Sequence, residues 1–171
     1  MIPDPLHPAV VHFPIVLMFL VPLFMVGALV AIRRGAAPRR AWSLAVAAAA
    51  ALSLSAWVAV QTGESQEDRV ERAVGDAALE AHEEPAERFL LLSGALVVLT
   101  LAGFAGGAAG RAGRGVALAG SLGLIAAGVQ VGHTGGELVY QHGAGAAYSN
   151  STQTDALGGS ADTESADDDD D

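Results

Sequence analysis

The stretch that decides the fold is residues 9–32, AVVHFPIVLMFLVPLFMVGALVAI. It contains no Asp, Glu, Lys or Arg, and its one ionisable side chain is His12. With a rise of about 1.5 Å per residue, a helix of this length crosses the hydrocarbon core of a bilayer. No Lys or Arg precedes the run, and it is too long for the apolar core of a signal peptide. It therefore predicts a retained membrane span.

The rest of the chain has the composition of a membrane protein. Of its 171 residues, 51% are hydrophobic and only 16% are charged, and the apolar residues come in blocks. Three further blocks are long enough to be spans, at residues 41–60, 89–105 and 116–133. We expect an all-α, integral membrane four-helix bundle within residues 1–147, in the lipid bilayer of the cell membrane. The chain has no cysteine, which excludes disulfides, thiolate metal sites and cysteine nucleophiles.

The connection between spans two and three is polar. Residues 64–88 carry nine acids, and small apolar residues recur among them at roughly helical spacing, at Val70, Val74, Ala77, Ala78 and Ala81. This pattern predicts a short amphipathic helix on the membrane surface or over the mouth of the bundle, ending near His82 and Pro85.

The C-terminal residues 148–171 have a different composition. Small polar residues and Asp dominate, and the chain closes on five aspartates. This composition predicts a disordered acidic tail. The triplet that begins at Asn150 matches a glycosylation acceptor, but it is too common to decide whether Asn150 is modified.

The charges predict an orientation. Six of the nine basic residues lie in the two short loops 33–40 and 106–115, and neither loop contains an acid. All 19 acids lie near the N-terminus, in the 61–88 connection or in the C-terminal region. By the positive-inside rule the two loops are cytoplasmic and both termini are extracytoplasmic.

Two motifs near the ends of the chain resemble a known family. They are LHPAVVHFPI at residues 6–15 and GHTGGELVYQHG at residues 132–143, which follow the patterns HPxxVHFP and GHxGGxLVYxHG. Together they are similar to small four-helix integral membrane proteins catalogued as domain of unknown function twenty-two thirty-one. The likeness covers about residues 5–147. It implies the four-helix membrane fold and brings no established activity.

The histidines suggest a site at the outer face. In the predicted orientation all five lie at or near that face, at His7, His12, His82, His133 and His142. The first hypothesis is haem b with two imidazole ligands from different helices, His12 with His133 or His82 with His133. Such a protein would be a redox subunit with a redox partner at the outer face.

A second hypothesis is a divalent metal site. His133 and Glu137 are four residues apart and share a face if the helix continues, although Gly135 and Gly136 weigh against a continuing helix. With His142, or with His12 or His82, they would supply three nitrogen and oxygen ligands. Metal-activated water would then allow hydrolysis, so whether the protein is an enzyme stays open.

A third interpretation needs no cofactor. His7 then caps a helix, His142 forms a turn, and the 132–143 motif closes the mouth of a structural or interaction protein. A stripe of small residues in span four offers close helix contact, within the bundle or in a homo-oligomer, at Gly120, Leu124, Gly128, Gly132 and Gly136. The acidic outer face argues against nucleic acid as a partner.

Overall fold

The structure, a computed structural model, describes residues 5–148. This part of the chain is helical apart from short connections and contains no strand. The helices are α1 His7–Val10, α2 His12–Arg33, α3 Pro38–Glu64, α4 Glu67–Val74, α5 Asp76–Ala102 and α6 Gly107–Tyr140. The all-α prediction is confirmed. The predicted acidic tail beyond Tyr148, with Asn150, lies outside the described residues.

Four segments are long and apolar enough to cross a membrane: His7–Arg33, Pro38–Glu64, Asp76–Ala102 and Gly107–Tyr140. Each extends roughly 40 Å or more at the helical rise per residue, which exceeds the thickness of a hydrocarbon core. Large apolar side chains cover their outward faces; Leu91, for example, is 74% exposed and Val98 is 67% exposed. A continuous apolar surface of this kind fits lipid contact. The predicted four-span bundle is confirmed.

The four long helices form two antiparallel hairpins. In one hairpin α2 packs against α3, and in the other α5 packs against α6. The hairpins join through α3 with α5 and through α2 with α6. Their common core is built around Val21, Met25, Trp42 and Leu52. Buried hydroxyls in the core bond to carbonyls three residues earlier in their own helices, which satisfies them away from water, at Ser93, Thr100 and Ser121.

The two ends of the bundle differ in chemistry. The end that carries the connections 34–37 and 103–106 holds Arg33, Arg34 and the buried Arg114, and we call it the arginine end. The opposite end holds the starts of α1 and α5 and the ends of α3 and α6. His7 and His82 lie there, so we call it the histidine end.

The membrane helices extend further at the histidine end than the sequence predicts. The amphipathic helix is α4 alone, and Gly75, with φ 83°, separates it from α5. The predicted end of that helix near His82 was wrong, because α5 begins at Asp76 and continues through the buried Pro85. Tertiary packing on the neighbouring helices overrides the local tendency of proline to end a helix.

Span four also continues beyond its predicted end. α6 runs without interruption through Gly135 and Gly136 to Tyr140, which is the continuation that these glycines weighed against. The glycine stripe is partly used inside the bundle, since a methyl group at Gly128 would overlap the sulfur of Met18 in α2. Close helix approach at this stripe is confirmed at Gly128, and a homo-oligomer stays a prediction.

Candidate functional site

His7, the first residue of α1, is fixed against the end of α3. Its Nδ1 lies 2.8 Å from the carbonyl oxygen of Ala59 and 3.4 Å from Oγ1 of Thr62. Since a carbonyl oxygen only accepts hydrogen bonds, Nδ1 carries the hydrogen and donates. Gly63 makes the close approach feasible, because a Cβ at that position would lie 3.3 Å from Cε1 of the ring.

His82, in the second turn of α5, is fixed against the end of α6 in the same way. Its Nδ1 lies 3.1 Å from Oγ1 of Thr134, whose hydroxyl donates to the carbonyl of Val131, also at 3.1 Å. The hydroxyl hydrogen is thus engaged, so the threonine oxygen accepts and the Nδ1 of His82 donates. Gly135 faces the ring, and a Cβ there would lie 3.0 Å from Cε1.

The two rings meet at the centre of the histidine end. The ring centroids of His7 and His82 are 6.4 Å apart, and the ring planes are inclined at 80°. Both side chains are half-buried. Because each Nδ1 holds its hydrogen against the neighbouring helix, the lone pair of each neutral imidazole is on Nε2. The structure therefore brings together two oriented imidazoles from different hairpins.

The other histidines lie at the surface. His12 is exposed on α2, and His133 is 72% exposed, with its Nε2 3.4 Å from Oε1 of Glu137. His142 is exposed in a shallow groove beside Gly75. Residues 5–148 contain no group of three His, Cys, Asp or Glu side chains arranged to hold a metal ion.

These positions bear on both predicted sites. The structure pairs His133 with Glu137 but does not gather them with His142 into a three-ligand group. Of the predicted haem ligands, it places His82 in a ring pair and leaves His12 and His133 at the surface. Both ligand assignments stay predictions.

Sequence reasoning missed His7 as a partner of His82. The stronger of its two contacts with α3 is to the backbone carbonyl of Ala59, which no side-chain pattern marks. A signal was nevertheless present, because the dipeptide Thr-Gly follows the predicted end of both span two and span four, at residues 62–63 and 134–135. His7 precedes span one and His82 precedes span three, and these are the spans that pair with spans two and four.

The surroundings of the pair are acidic. Glu83 follows His82 directly, and four further carboxylates are near enough to repel its negative charge, at Glu64, Glu67, Asp76 and Glu87. A surface of one charge sign raises the local concentration of oppositely charged species. The histidine end therefore attracts cations.

The segment after α6 folds back over this end. The Tyr148 hydroxyl donates to Oε1 of Gln66 at 2.7 Å, and the Arg69 guanidinium lies 5.5 Å from the centre of the Tyr148 ring. A small apolar cluster beneath it joins α4, α5, α6 and the following turn, through Val70, Leu79, Leu138 and Ala144. These contacts hold α4 against the ends of the two membrane hairpins.

The comparisons with known proteins agree with this architecture. A family model described as "Predicted membrane protein (DUF2231)" matches residues 3–148, which include the whole described bundle. No curated protein and no solved structure matches the chain. The family description gives a membrane location and no activity. Since this match covers most of the chain and the structure holds four helices able to span a membrane, the chain belongs to the DUF2231 family of predicted membrane proteins.

Proposed function

We propose that the protein is a membrane redox subunit that binds one haem b at the histidine end, with His7 and His82 as the residues that would hold its iron. The observation that carries the proposal is the ring pair itself, with centroids 6.4 Å apart. With metal–nitrogen bonds of about 2.0 Å, two imidazoles that held a single metal would have ring centroids up to about 6 Å apart.

The number of ligands favours haem over a bare ion. A structural or catalytic zinc site takes three or four protein ligands, and the described residues gather no group of three. Haem iron receives four ligands from the porphyrin and needs only two from the protein. The pair His7 and His82 supplies that number. The iron would supply one-electron chemistry, and the chain would hold and orient it.

The hydrogen bonds around the pair support a ligand role. Metal-binding imidazoles commonly donate their other ring N–H to a carbonyl or a polar oxygen, which fixes the tautomer and the ring orientation. His7 donates to the Ala59 carbonyl, and His82 donates to the Thr134 hydroxyl. Both histidines therefore have the N–H contact that a ligand needs, and both rings are held by a neighbouring helix.

The charge distribution supports an extracytoplasmic site. The positive-inside rule assigns the arginine end to the cytoplasm, so the histidine end would face outward in the cell membrane. Its carboxylates would draw a cationic redox partner to that face. The protein would then pass electrons between its haem and this partner.

The first experiment is an absorption spectrum of the detergent-purified protein, oxidised and then reduced with dithionite, with iron measured per chain. We expect a Soret band, sharp reduced α and β bands, and one iron per chain. His7→Ala and His82→Ala should each remove the low-spin spectrum. His12→Ala and His133→Ala are matched controls from the exposed histidines, and both should keep it.

The outcomes separate the ligand assignments. If His133→Ala removes the spectrum and His7→Ala does not, one of the two ligand pairs predicted from the sequence, His12 with His133 or His82 with His133, is correct and the pair proposed here is wrong. A wild-type protein that shows no Soret band after expression with adequate haem would exclude the haem site. Stoichiometric copper, iron or zinc in such a sample would instead support binding of a bare metal ion.

A structural role is the second candidate, because the same contacts join helices. His7 links α1 to α3 and His82 links α5 to α6, each through a hydrogen bond and a glycine contact. In this case the pair closes the bundle mouth, and the protein acts through other proteins. A sample without metal or absorbance, in which His7→Ala still lowers thermal stability, would support this role.

The orientation has a direct test, because the natural chain has no cysteine. Tyr140→Cys introduces a thiol at the histidine end, and Ala36→Cys introduces one in the loop at the arginine end; both positions are exposed. In intact cells a membrane-impermeant maleimide should label only the first. Labelling of only the second would invert the proposed orientation.

A further inference from the structure

The two histidine anchors match each other in detail. His7 and Thr62 are 55 residues apart, and His82 and Thr134 are 52 apart. In both cases the threonine hydroxyl donates to the carbonyl three residues earlier, and a glycine follows the threonine. In both cases the glycine lies against Cε1 of the imidazole. The two hairpins therefore present the same side-chain arrangement.

We infer that the chain is a tandem repeat of one helical hairpin and that a local twofold axis passes between His7 and His82. The two hairpins would then share one metal centre, the proposed haem, at this axis. The shared centre rests on the proposed function. The repeat rests on the matching histidine anchors and on the arrangement of the helices, and it needs no ligand.

The second helix of each hairpin repeats in register. Thr134 stands 72 residues after Thr62, and the same shift relates four buried positions of α3 to four buried positions of α6. The pairs are Trp42 with Arg114, Ala45 with Ala117, Ala49 with Ser121, and Leu52 with Leu124. α3 and α6 thus bury corresponding faces.

The first helix of each hairpin repeats as well. His82 stands 75 residues after His7, and this shift relates buried positions of α2 to buried positions of α5 and its C-cap. The pairs are Pro14 with Phe89, Met18 with Ser93, Val21 with Leu96, Met25 with Thr100, and Ala28 with Gly103. A burial pattern recurs every seven residues on any bundle helix, so burial alone does not fix the register. The histidine anchors fix it independently, and they give the same shift.

The packing of the helices has the same symmetry. The proposed twofold axis exchanges α2 with α5 and α3 with α6. It therefore requires that a contact of α3 with α5 be matched by a contact of α6 with α2. Both contacts are present, and they are the two that join the hairpins. Both hairpins also begin and end at the histidine end, which the axis requires.

The repeat distinguishes the histidines. The position equivalent to His12 is Glu87, and the position equivalent to His133 is Gln61. Only His7 and His82 are equivalent to each other, and they are also the two whose rings meet. A ligand on the axis would therefore receive one imidazole from each hairpin.

The repeat is tested by exchanging side chains between the hairpins. Met18 packs against Gly128, and the axis predicts that Ser93 faces Ala56 in the same way. The double variant M18S/S93M leaves a void beside Gly128 and crowds Ala56, so we expect the thermal midpoint in detergent to fall by about 5 °C or more. Adding A56G and G128A exchanges the complete pairs and should recover most of that loss.

A quadruple variant no more stable than the double variant would overturn the repeat. If the double variant does not fold, V21L/L96V is the milder exchange of one equivalent pair. Its midpoint should lie closer to wild type than the midpoint of V21L alone, and a lower midpoint than both single variants would overturn the repeat. These measurements need no cofactor, so they stand whether or not haem binds.

The shared centre has a separate readout, which is haem iron per chain. We expect one haem in the wild type and the same loss from His7→Ala and His82→Ala. Two haems per chain, or a haem that keeps its low-spin spectrum in one of these variants, would overturn sharing while the repeat stands. No haem in any form would overturn the proposed function.

Discussion

The two hairpins match each other at the histidine end of the bundle and differ at the arginine end. At the histidine end the residues of the two anchors are identical, His7 with His82, Thr62 with Thr134 and Gly63 with Gly135, and each ring lies against its threonine and glycine. At the arginine end the equivalent positions hold Trp42 and Arg114. The indole Nε1 donates to the Thr100 carbonyl and the guanidinium Nη1 donates to the Gly103 carbonyl, each at 2.8 Å.

The arginine end is therefore asymmetric in both contacts and charge. Trp42 and Arg114 both pack against Gly103 at the end of α5, rather than each against its own equivalent helix. The end of α5 needs only side chains that fill the space and donate hydrogen bonds to its last carbonyls, so the two side chains need not be identical. A ligand shared on an axis requires the same group from both sides, which is the condition that the histidine end meets.

The largest expected effect tests whether the arginine end serves only packing. Trp42→Ala removes a side chain with no exposed surface, and we expect the free energy of unfolding to fall by about 3–5 kcal/mol. Denaturant unfolding in detergent measures this loss. Under the proposed function, the fraction that remains folded should keep the haem spectrum expected of the wild type.

Trp57→Ala is the matched control, since that indole is 51% exposed on the same helix. We expect it to cost less than about 1 kcal/mol, because little packing is lost at an exposed site. If Trp42→Ala leaves a folded protein without the spectrum, the two ends are coupled and the division of roles between them is wrong.

The next effect concerns the fit of one imidazole. Gly135→Ala places a methyl group 3.0 Å from Cε1 of His82, so the ring must shift by a few tenths of an ångström. We expect a loss of about 1–3 kcal/mol from overpacking, together with a weakened haem spectrum. Thermal unfolding and haem content measure the two effects.

The neighbouring glycine supplies the control. A Cβ at Gly136 would meet no atom within 4 Å, and the residue lies inside the same helix. Gly136→Ala should therefore raise stability by about 0.5–1 kcal/mol through helix propensity and leave the spectrum unchanged. If Gly135→Ala and Gly136→Ala change thermal stability and haem content equally, the contact of Gly135 with His82 does not position the ring for haem binding.

The sequence predicts the bundle better than it predicts the site, for a physical reason. Residues 9–32 predict a membrane span by themselves, because a run of this length without an acid, Lys or Arg matches the thickness of the hydrocarbon core. α5 continues through Pro85 and α6 continues through Gly135 because neighbouring helices pack against them. Local sequence propensity does not include that packing, so it does not predict the continuation. The partner of His7 is a backbone carbonyl 52 residues away, at Ala59, so only the folded hairpin reveals the contact.

A smaller effect distinguishes the two anchors. Thr134→Val removes the hydroxyl that accepts a hydrogen bond from His82, and we expect it to cost about 1 kcal/mol. Thr62→Val should cost less, because His7 keeps its shorter bond to the Ala59 carbonyl. Thermal midpoints in detergent compare the two isosteric changes. A larger loss from Thr62→Val would mean that the threonine, and not the carbonyl, orients His7.

The smallest expected effect is at His133, which belongs to the 132–143 motif but has no equivalent in the first hairpin. Its ring is 72% exposed, and its contact with Glu137 is a pair four residues apart on the helix surface. Such pairs contribute about 0.5 kcal/mol or less. His133→Ala should thus leave the thermal midpoint and the haem spectrum near wild type, and Glu137→Gln should do the same. His82→Ala, one helix away, should remove the spectrum. A loss at His133 equal to that at His82 would mean that the site does not follow the repeat, and the ligand would then lie off the axis, toward α6.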